Sequence, residues 1–305
     1  MFSSSSKQVS HSVAKTRGAT LYQLLNKASF EITPGQYQEI DEAKKFLRPH
    51  TDIFIANIAG HPQSKLIDSI RAVSDAGFNP VPHLAARNIA SIEEMKLIAA
   101  AMKDTGTNSA FMIGGSAAQP AGPFSDAEQL LAHGEILAEA GISNIGFGAY
   151  PEGHPSVDPL QLSESLWRKI EAARAFGLKP FIVTQFCFET APILAWERRS
   201  RDLFGRRVPL RVGLAGATSV RKLLRYAAFC GVQASAAFLT GHAASMLTVL
   251  RKWTPKQLVS ELSAAVAEDP ECKIESFHFF PFGALENTAA SVKDLMEANE
   301  HLSGS

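Results

Sequence analysis

The sequence predicts one α/β domain of the (β/α)8 barrel class, and three observations carry that expectation. Short apolar runs rich in β-branched and aromatic residues alternate with longer amphipathic runs, and the strand-like runs number eight. Gly77, Gly141, Gly177 and Gly231 stand just past helical runs, where a helix C′ residue belongs. No Pro- or Ser-rich linker divides the 305 residues, so the units share one domain. A doubly wound open sheet is the competing architecture, and a count of eight disfavours it.

The strands are expected at residues 28–32, 52–58, 80–85, 110–113, 142–150, 180–186, 210–214 and 274–280. Helical spacing covers 40–47, 66–76, 95–102, 160–176, 192–204 and 285–298. Two capping boxes are read, Ser91 with Glu94 and Ser125 with Glu128, the second opening a helix to Ala140. Thr218 is expected to cap a helix reaching Cys230. Thr254 and Pro255 read as N-cap and first residue of an extra helix before the last strand.

Composition excludes several function classes. Thirty basic residues balance thirty acidic ones, which argues against a nucleic-acid binder with a basic face. No apolar run reaches the roughly 18 residues that span a bilayer, so no membrane segment is expected. Residues 1–18 read as a disordered, Ser- and Lys-rich tail without the apolar stretch of a secretory signal; a mitochondrial-type presequence is the alternative. The catalytic domain is expected over 19–300. Cys187, Cys230 and Cys272 are odd in number and widely spaced, which disfavours a disulfide framework. The simple reading is a reducing, cytoplasmic compartment.

In a barrel the chemistry sits at the C-terminal ends of the strands. Those ends carry Glu31, Asn57, His83, Gly114-Gly115-Ser116, Tyr150, Gln185, the glycines at 213 and 216, and His278. Glu31 lies among apolar neighbours, where burial raises a carboxyl pKa and suits a general acid; a Glu paired with a basic side chain is equally compatible. His83 alone is more often structural. Gln185 offers a donor and an acceptor, as a heterocycle edge requires. There is no GxGxxG after a strand, no P-loop and no HExxH, and the histidines show no metal spacing, so no metal site is expected. The aromatic run Phe277 to Phe282 reads as mostly core, and the run around Gly241-His242 as structural. The arginines at 198, 199, 201, 206 and 207 read as a solvated face.

Several segments together resemble the methylenetetrahydrofolate reductase family, over about 29–290. The most specific is Ala149-Tyr150-Pro151-Glu152-Gly153-His154-Pro155, similar to the family's A/GYPExHP. Ile182 to Glu189 (IVTQFCFE) is similar to ITQxFF[DE], Phe30-Glu31 to the SFE start, Pro82-His83-Leu84 to PHL, and Phe277 to Phe280 to the HFY strand. The resemblance implies a barrel carrying noncovalent FAD, with NADH or NADPH as co-substrate. It would interconvert 5,10-methylenetetrahydrofolate and 5-methyltetrahydrofolate. On that pattern Glu31 inherits the acid, Gln185 holds the pterin, and His83, Tyr150 and His154 contact FAD. Lys169 would pair with the FAD phosphates, and Asn57, Gly114, Gly115 and Ser116 would line the flavin. Lys222 and Tyr226 fall where a helical Gln and Phe touch substrate.

The departures are specific. The family's RGD reads Gly114-Gly115-Ser116, so an Arg and a flavin-adjacent Asp are missing. A family Arg after the HFY strand falls near Ala284. Loss of that Asp implies an easier-to-reduce flavin and a bias toward oxidation of 5-methyltetrahydrofolate. The competing functions are a flavin-free pterin methyltransferase and a non-catalytic folate-binding subunit. A homo-oligomer, dimer or tetramer, is expected.

Overall fold

The computed structural model describes residues 16–204, 208–229 and 252–303. Eight parallel strands close into a barrel. They are β1 (Ser29–Ile32), β2 (Asp52–Ile55), β3 (Asn79–Ala85), β4 (Ser109–Ile113), β5 (Asn144–Ala149), β6 (Lys179–Thr184), β7 (Leu210–Ala215) and β10 (Ile274–Phe280). Each pairs with its sequence neighbour, and β10 returns beside β1 to remove the open edge. Between β7 and β10 lies a two-stranded antiparallel ribbon of β8 (Thr218–Ser219) and β9 (Lys252–Trp253).

The expected extra helix before the last strand is present at Lys256–Glu268. The chain is already helical at residues 16–26, where Leu21, Leu24 and Leu25 are buried; the sequence reading had missed this helix. The readings at Cys230, Gly231, Gly241-His242, Arg206 and Arg207 lie outside the described residues.

Five local expectations are corrected. The helix at 40–47 is a 3-10 turn, Gln36–Gln38, and one short helix, Glu39–Ala43. The second capping box is shifted by one residue: Asp126 accepts from the Gln129 N–H at 2.9 Å, and Gln129 Oε1 accepts from the Ser125 N–H. Glu128 is unavailable as a cap because it accepts from Ser165 Oγ and Arg168. That helix also breaks into Ala127–Leu131 and Gly134–Glu139. Ser219, not Thr218, accepts from the Lys222 N–H at the start of Val220–Phe229. Pro255 occupies the N-cap of its helix rather than the first turn.

Strand alternation divides each strand between two layers. Phe30, Ile53, Ile55 and Phe279 join the core between barrel and helices. Phe54, Val81, Phe111, Phe181 and Val183 form a separate interior cluster. Gly146 is what this filling demands: a Cβ there would lie 2.4 Å from the Phe181 ring and 2.7 Å from Phe111. Below the cluster Arg211 pairs with Asp52 at 2.7 Å and lies over the Phe181 ring. The interior is therefore a packed plug, and the site rests on it.

Candidate active site

Glu31 and Ser29 point the same way on β1, while Phe30 and Ile32 join the outer core. Register sets Glu31 beside Phe54 on β2 and Ser29 beside His278 on β10. The result is a cluster of one carboxyl and two imidazoles. Glu31 Oε2 lies 3.4 Å from His83 Nε2 and 3.8 Å from His278 Nε2. Ser29 Oγ lies 2.9 Å from His278 Nδ1. Phe54 forms the floor, with ring centroids 4.4 Å from His278 and 6.0 Å from His83. About one fifth of the Glu31 side chain is exposed, against 7% for His83 and 1% for His278, so the carboxyl is the member of the cluster that an incoming molecule can reach.

Burial sets the protonation of this cluster. It pushes the Glu31 carboxyl above the usual carboxylate range, against a weaker pull from His83. It pushes His83 down to about 4, with Glu31 opposing. It pushes His278 down to about 3, helped by the charge of Arg211 and opposed by Asp52. Near neutrality both imidazoles are uncharged, and the carboxyl keeps its proton to higher pH than a surface Glu. The arrangement presents an acid in an apolar setting.

These shifts fix a sign for stability. In the unfolded chain each imidazole titrates near its ordinary value of about 6.5. The folded state resists protonation until about 4 for His83 and about 3 for His278. Unfolding therefore takes up protons below about 6.5, and stability falls as pH drops from there toward 4. Glu31 works in the opposite sense, its contribution fading as pH rises through the carboxylate range. The thermal midpoint should fall as pH is lowered from 6.5 to 4, with a shallower fall in His278→Gln. A midpoint constant over that window would contradict the buried neutral histidines.

A second group lies around the loop after β5. Tyr150 and His154 pack edge to face at 5.1 Å, and the Ser156 N–H donates to His154 Nδ1. Tyr150 and Lys169 line the same cavity of about 310 Å³, with Ser163, Ser165, Arg199 and Ser200. Lys169 Nζ lies 5.7 Å over the Phe147 ring. Burial lowers its pKa, and Glu128 and Asp126 pull it back up.

The third group is aromatic. Tyr226 stacks on Phe282 at 4.5 Å, and Phe282 stacks on Phe280 at 6.2 Å. Phe282 adopts φ 53, a left-handed backbone that non-glycine residues rarely take. Lys222 Nζ donates to the Gly283 carbonyl at 3.4 Å. Gln185 Oε1 accepts from the Phe186 N–H at 3.0 Å.

A protein-family model described as Methylenetetrahydrofolate reductase matches residues 50–283. The chain belongs to the methylenetetrahydrofolate reductase family. Glu31 lies before the matched span, so its place beside His83 rests on the barrel geometry. Among solved structures, an uncharacterised protein from Clostridium thermocellum that binds two copies of 5-methyl-5,6,7,8-tetrahydrofolic acid has a TM-score of 0.58 at 14% identity. The alignment covers 90% of this chain and 98% of that one. The dihydropteroate synthase of Yersinia pestis has a TM-score of 0.50 at 14% identity, covering 91% and 93%. A family 18 chitinase from Pseudoalteromonas aurantia has a TM-score of 0.51 at 10% identity, covering 90% and 99%. The spread from folate binding to chitinase means that these likenesses speak to the barrel alone.

Of the residues expected on the family pattern, the fold brings Glu31 and His83 together, and separately Tyr150, His154 and Lys169. Tyr226 joins the Phe280–Phe282 stack. Asn57 is tied up within the protein: its amide donates to Gln63, and its carbonyl groups accept from Asn88. Gly115 takes φ +90, and a Cβ there would lie 3.3 Å from Ala85 Cβ, so only Gly lets this turn lie against β3. Ser116 is exposed on the following loop, whose carbonyls at 117, 118 and 125 accept from Arg87.

Three sequence readings are refined or corrected. The aromatic run is mostly core as expected, but it divides between clusters: Phe277 and Phe279 join the outer core, and the partly buried Phe280 and Phe282 pack against the Phe186 cluster. Arg201 is no solvated cation: it holds the fully buried Glu197 and Asp269 at 2.5 and 2.7 Å. His278 belongs to the acid cluster, which its position at the last strand end hinted at without giving it a role. Among the described residues no group of His, Cys, Asp and Glu could hold a metal. No described helix is long and apolar enough to cross a membrane.

Proposed function

We propose that the protein is an FAD-dependent reductase interconverting 5,10-methylenetetrahydrofolate and 5-methyltetrahydrofolate with NADH or NADPH. The observation that carries the reading is the acid cluster: a carboxyl whose hold on its proton is strengthened by burial, one fifth exposed and flanked by two imidazoles that burial keeps neutral. Opening a methylene bridge needs one proton on the departing nitrogen, and Glu31 is built to supply it. A flavin-free methyltransferase would have less use for a cation and paired aromatics around the loop after β5.

The residues present fit a flavin. Gly115 lets the turn after β4 lie close against β3, Tyr150 offers its ring to the cavity after β5, and Lys169 supplies a partly desolvated cation there. When bound, the flavin would carry hydride between nicotinamide and folate. Gln185 would hold the pterin edge through its amide nitrogen, and the Tyr226–Phe282 stack would offer a face to the folate's rings. Lys222 stands close enough to Gly283 to order that loop.

The purified protein should be yellow, should bleach anaerobically with NADH or NADPH, and should regain colour on adding 5,10-methylenetetrahydrofolate. A colourless protein that binds folate would overturn the redox reading. Tyr150→Ala should weaken flavin retention by about tenfold, one good aromatic contact being worth on the order of 1.4 kcal/mol; full retention on dilution would remove Tyr150 from the flavin site.

Ser116 supports a bias toward 5-methyltetrahydrofolate oxidation. It is neutral and exposed where the family carries an anion, and a nearby anion opposes the charge of a reduced flavin. Ser116→Asp should lower the flavin midpoint potential by about 20–30 mV, on the order of 1 kcal/mol for a screened charge. An unchanged or higher potential would refute the electrostatic argument.

A further inference from the structure

Ser29 and His278 face one another across the β1–β10 ladder that closes the barrel. Both are buried, at 0% and 1% exposure. A buried hydroxyl must place its proton on an acceptor. For Ser29 Oγ the side-chain partner among the described residues is His278 Nδ1, at 2.9 Å. If the hydroxyl donates there, Nδ1 carries a lone pair, and the proton of the neutral imidazole sits on Nε2. That N–H faces Glu31 Oε2 at 3.8 Å, a gap that a small side-chain movement closes.

The opposite tautomer is disfavoured on two counts. Nδ1–H would donate to Ser29 and leave the hydroxyl proton without that acceptor. It would also aim the lone pair of His278 Nε2 at the carboxyl oxygen that His83 Nε2 approaches at 3.4 Å. Once Glu31 is ionised, two lone pairs would confront an anion. With His278 donating, the ionised carboxyl keeps one N–H directed at that oxygen, and the neutral carboxyl can still direct its proton at His83.

We propose that Ser29 fixes His278 as its Nε2–H tautomer, and that His278, so held, is the positioning residue for the Glu31 carboxyl, leaving His83 Nε2 to accept the carboxyl proton. The Nε2–H of His278 steadies Glu31 after its proton has gone to substrate. His83 keeps that proton directed while Glu31 is neutral. The other charged groups facing the cluster are Arg211 from β7 and Asp52 from β2, which pair with each other at 2.7 Å and so largely offset. What Glu31 protonates rests on the function proposed above; the tautomer of His278 does not.

The test therefore has two arms. In the first, imidazole nitrogen shifts of histidine-labelled protein are read by NMR without any ligand. His278 should show a bare Nδ1 and a protonated Nε2, and Ser29→Ala should shift the population toward the other tautomer. An Nδ1–H form in the wild type, or no change in Ser29→Ala, overturns the proposal. In the second arm, the pH profile of turnover with methylenetetrahydrofolate is compared among variants. Losing the donor makes Glu31 harder to ionise, so in Ser29→Ala the alkaline limb should move up by about one pH unit. His278→Gln keeps an amide N–H without a titrating ring and should retain the wild-type profile, whereas His278→Leu should not. Profiles unmoved in both Ser29→Ala and His278→Leu, or turnover reduced with no shift, would make the pair structural only and overturn the proposal. If the wild type shows no such turnover, the folate reading fails, and the first arm alone decides the positioning.

Discussion

Under the proposed function, replacing Glu31 with Gln should lower folate-dependent turnover by about 10²-fold or more, while reduction of the flavin by NAD(P)H should stay near its wild-type rate. Gln matches Glu in shape but cannot release a proton at neutral pH. The carboxyl is the acidic group of a cluster whose two imidazoles are held neutral by burial, so neither stands ready as a cationic substitute. The nicotinamide half of the proposed reaction makes no demand for that proton. Stopped-flow measurement of the two half-reactions separates them. Equal loss of both would mean that Glu31 holds the fold together rather than supplying a proton, and an unaffected folate half would remove it from the chemistry.

Phe54→Ala should destabilise the protein by about 3–5 kcal/mol, the usual cost of deleting a buried aromatic side chain. Phe54 is fully buried at the centre of the barrel interior. Its ring lies 5.6 Å from Phe111 and 6.3 Å from Phe181, and the Arg211 guanidinium lies 5.7 Å away. Removing it opens a void under His278 and takes one apolar face from the Arg211–Asp52 pair. Against a typical stability of about 5–15 kcal/mol this is a large fraction. The midpoint of urea unfolding measures it, and Phe54→Leu should cost less because most of the volume remains. A loss below about 1 kcal/mol for the Ala variant would mean that the plug relaxes around the void and does not hold up the site.

Much of this architecture was legible from local pattern. Alternation of strand-like and helix-like runs is a local property, and so are the stop signals. Gly77, Gly141 and Gly177 take positive φ just after their helices, as their positions implied. Ser91 caps its helix, accepting from the Glu94 N–H. Where two capping chemistries competed, the local pattern misled. The Ser-x-x-Glu at 125 lost to Asp126 because Glu128 was claimed by Arg168, whose backbone lies 40 residues further on.

By itself the sequence determined that eight strands would alternate with helices, that an extra helix would precede the last strand, and that Glu31, His83, Gln185 and His278 would fall at strand ends. A period of two states that neighbouring side chains point opposite ways; it does not state which way is inward, nor which residue of a distant strand stands opposite. Closure of β10 onto β1 decided that. It set Ser29 against a histidine 249 positions away in the chain and divided the aromatic run between two packed clusters, while the packing of the helix Lys256–Glu268 beside Thr190–Phe204 drew Arg201 to Asp269 across 68 positions. Those pairings are long-range, and only the register of a closed sheet and the packing of helices around it, which the whole chain fixes at once, can specify them.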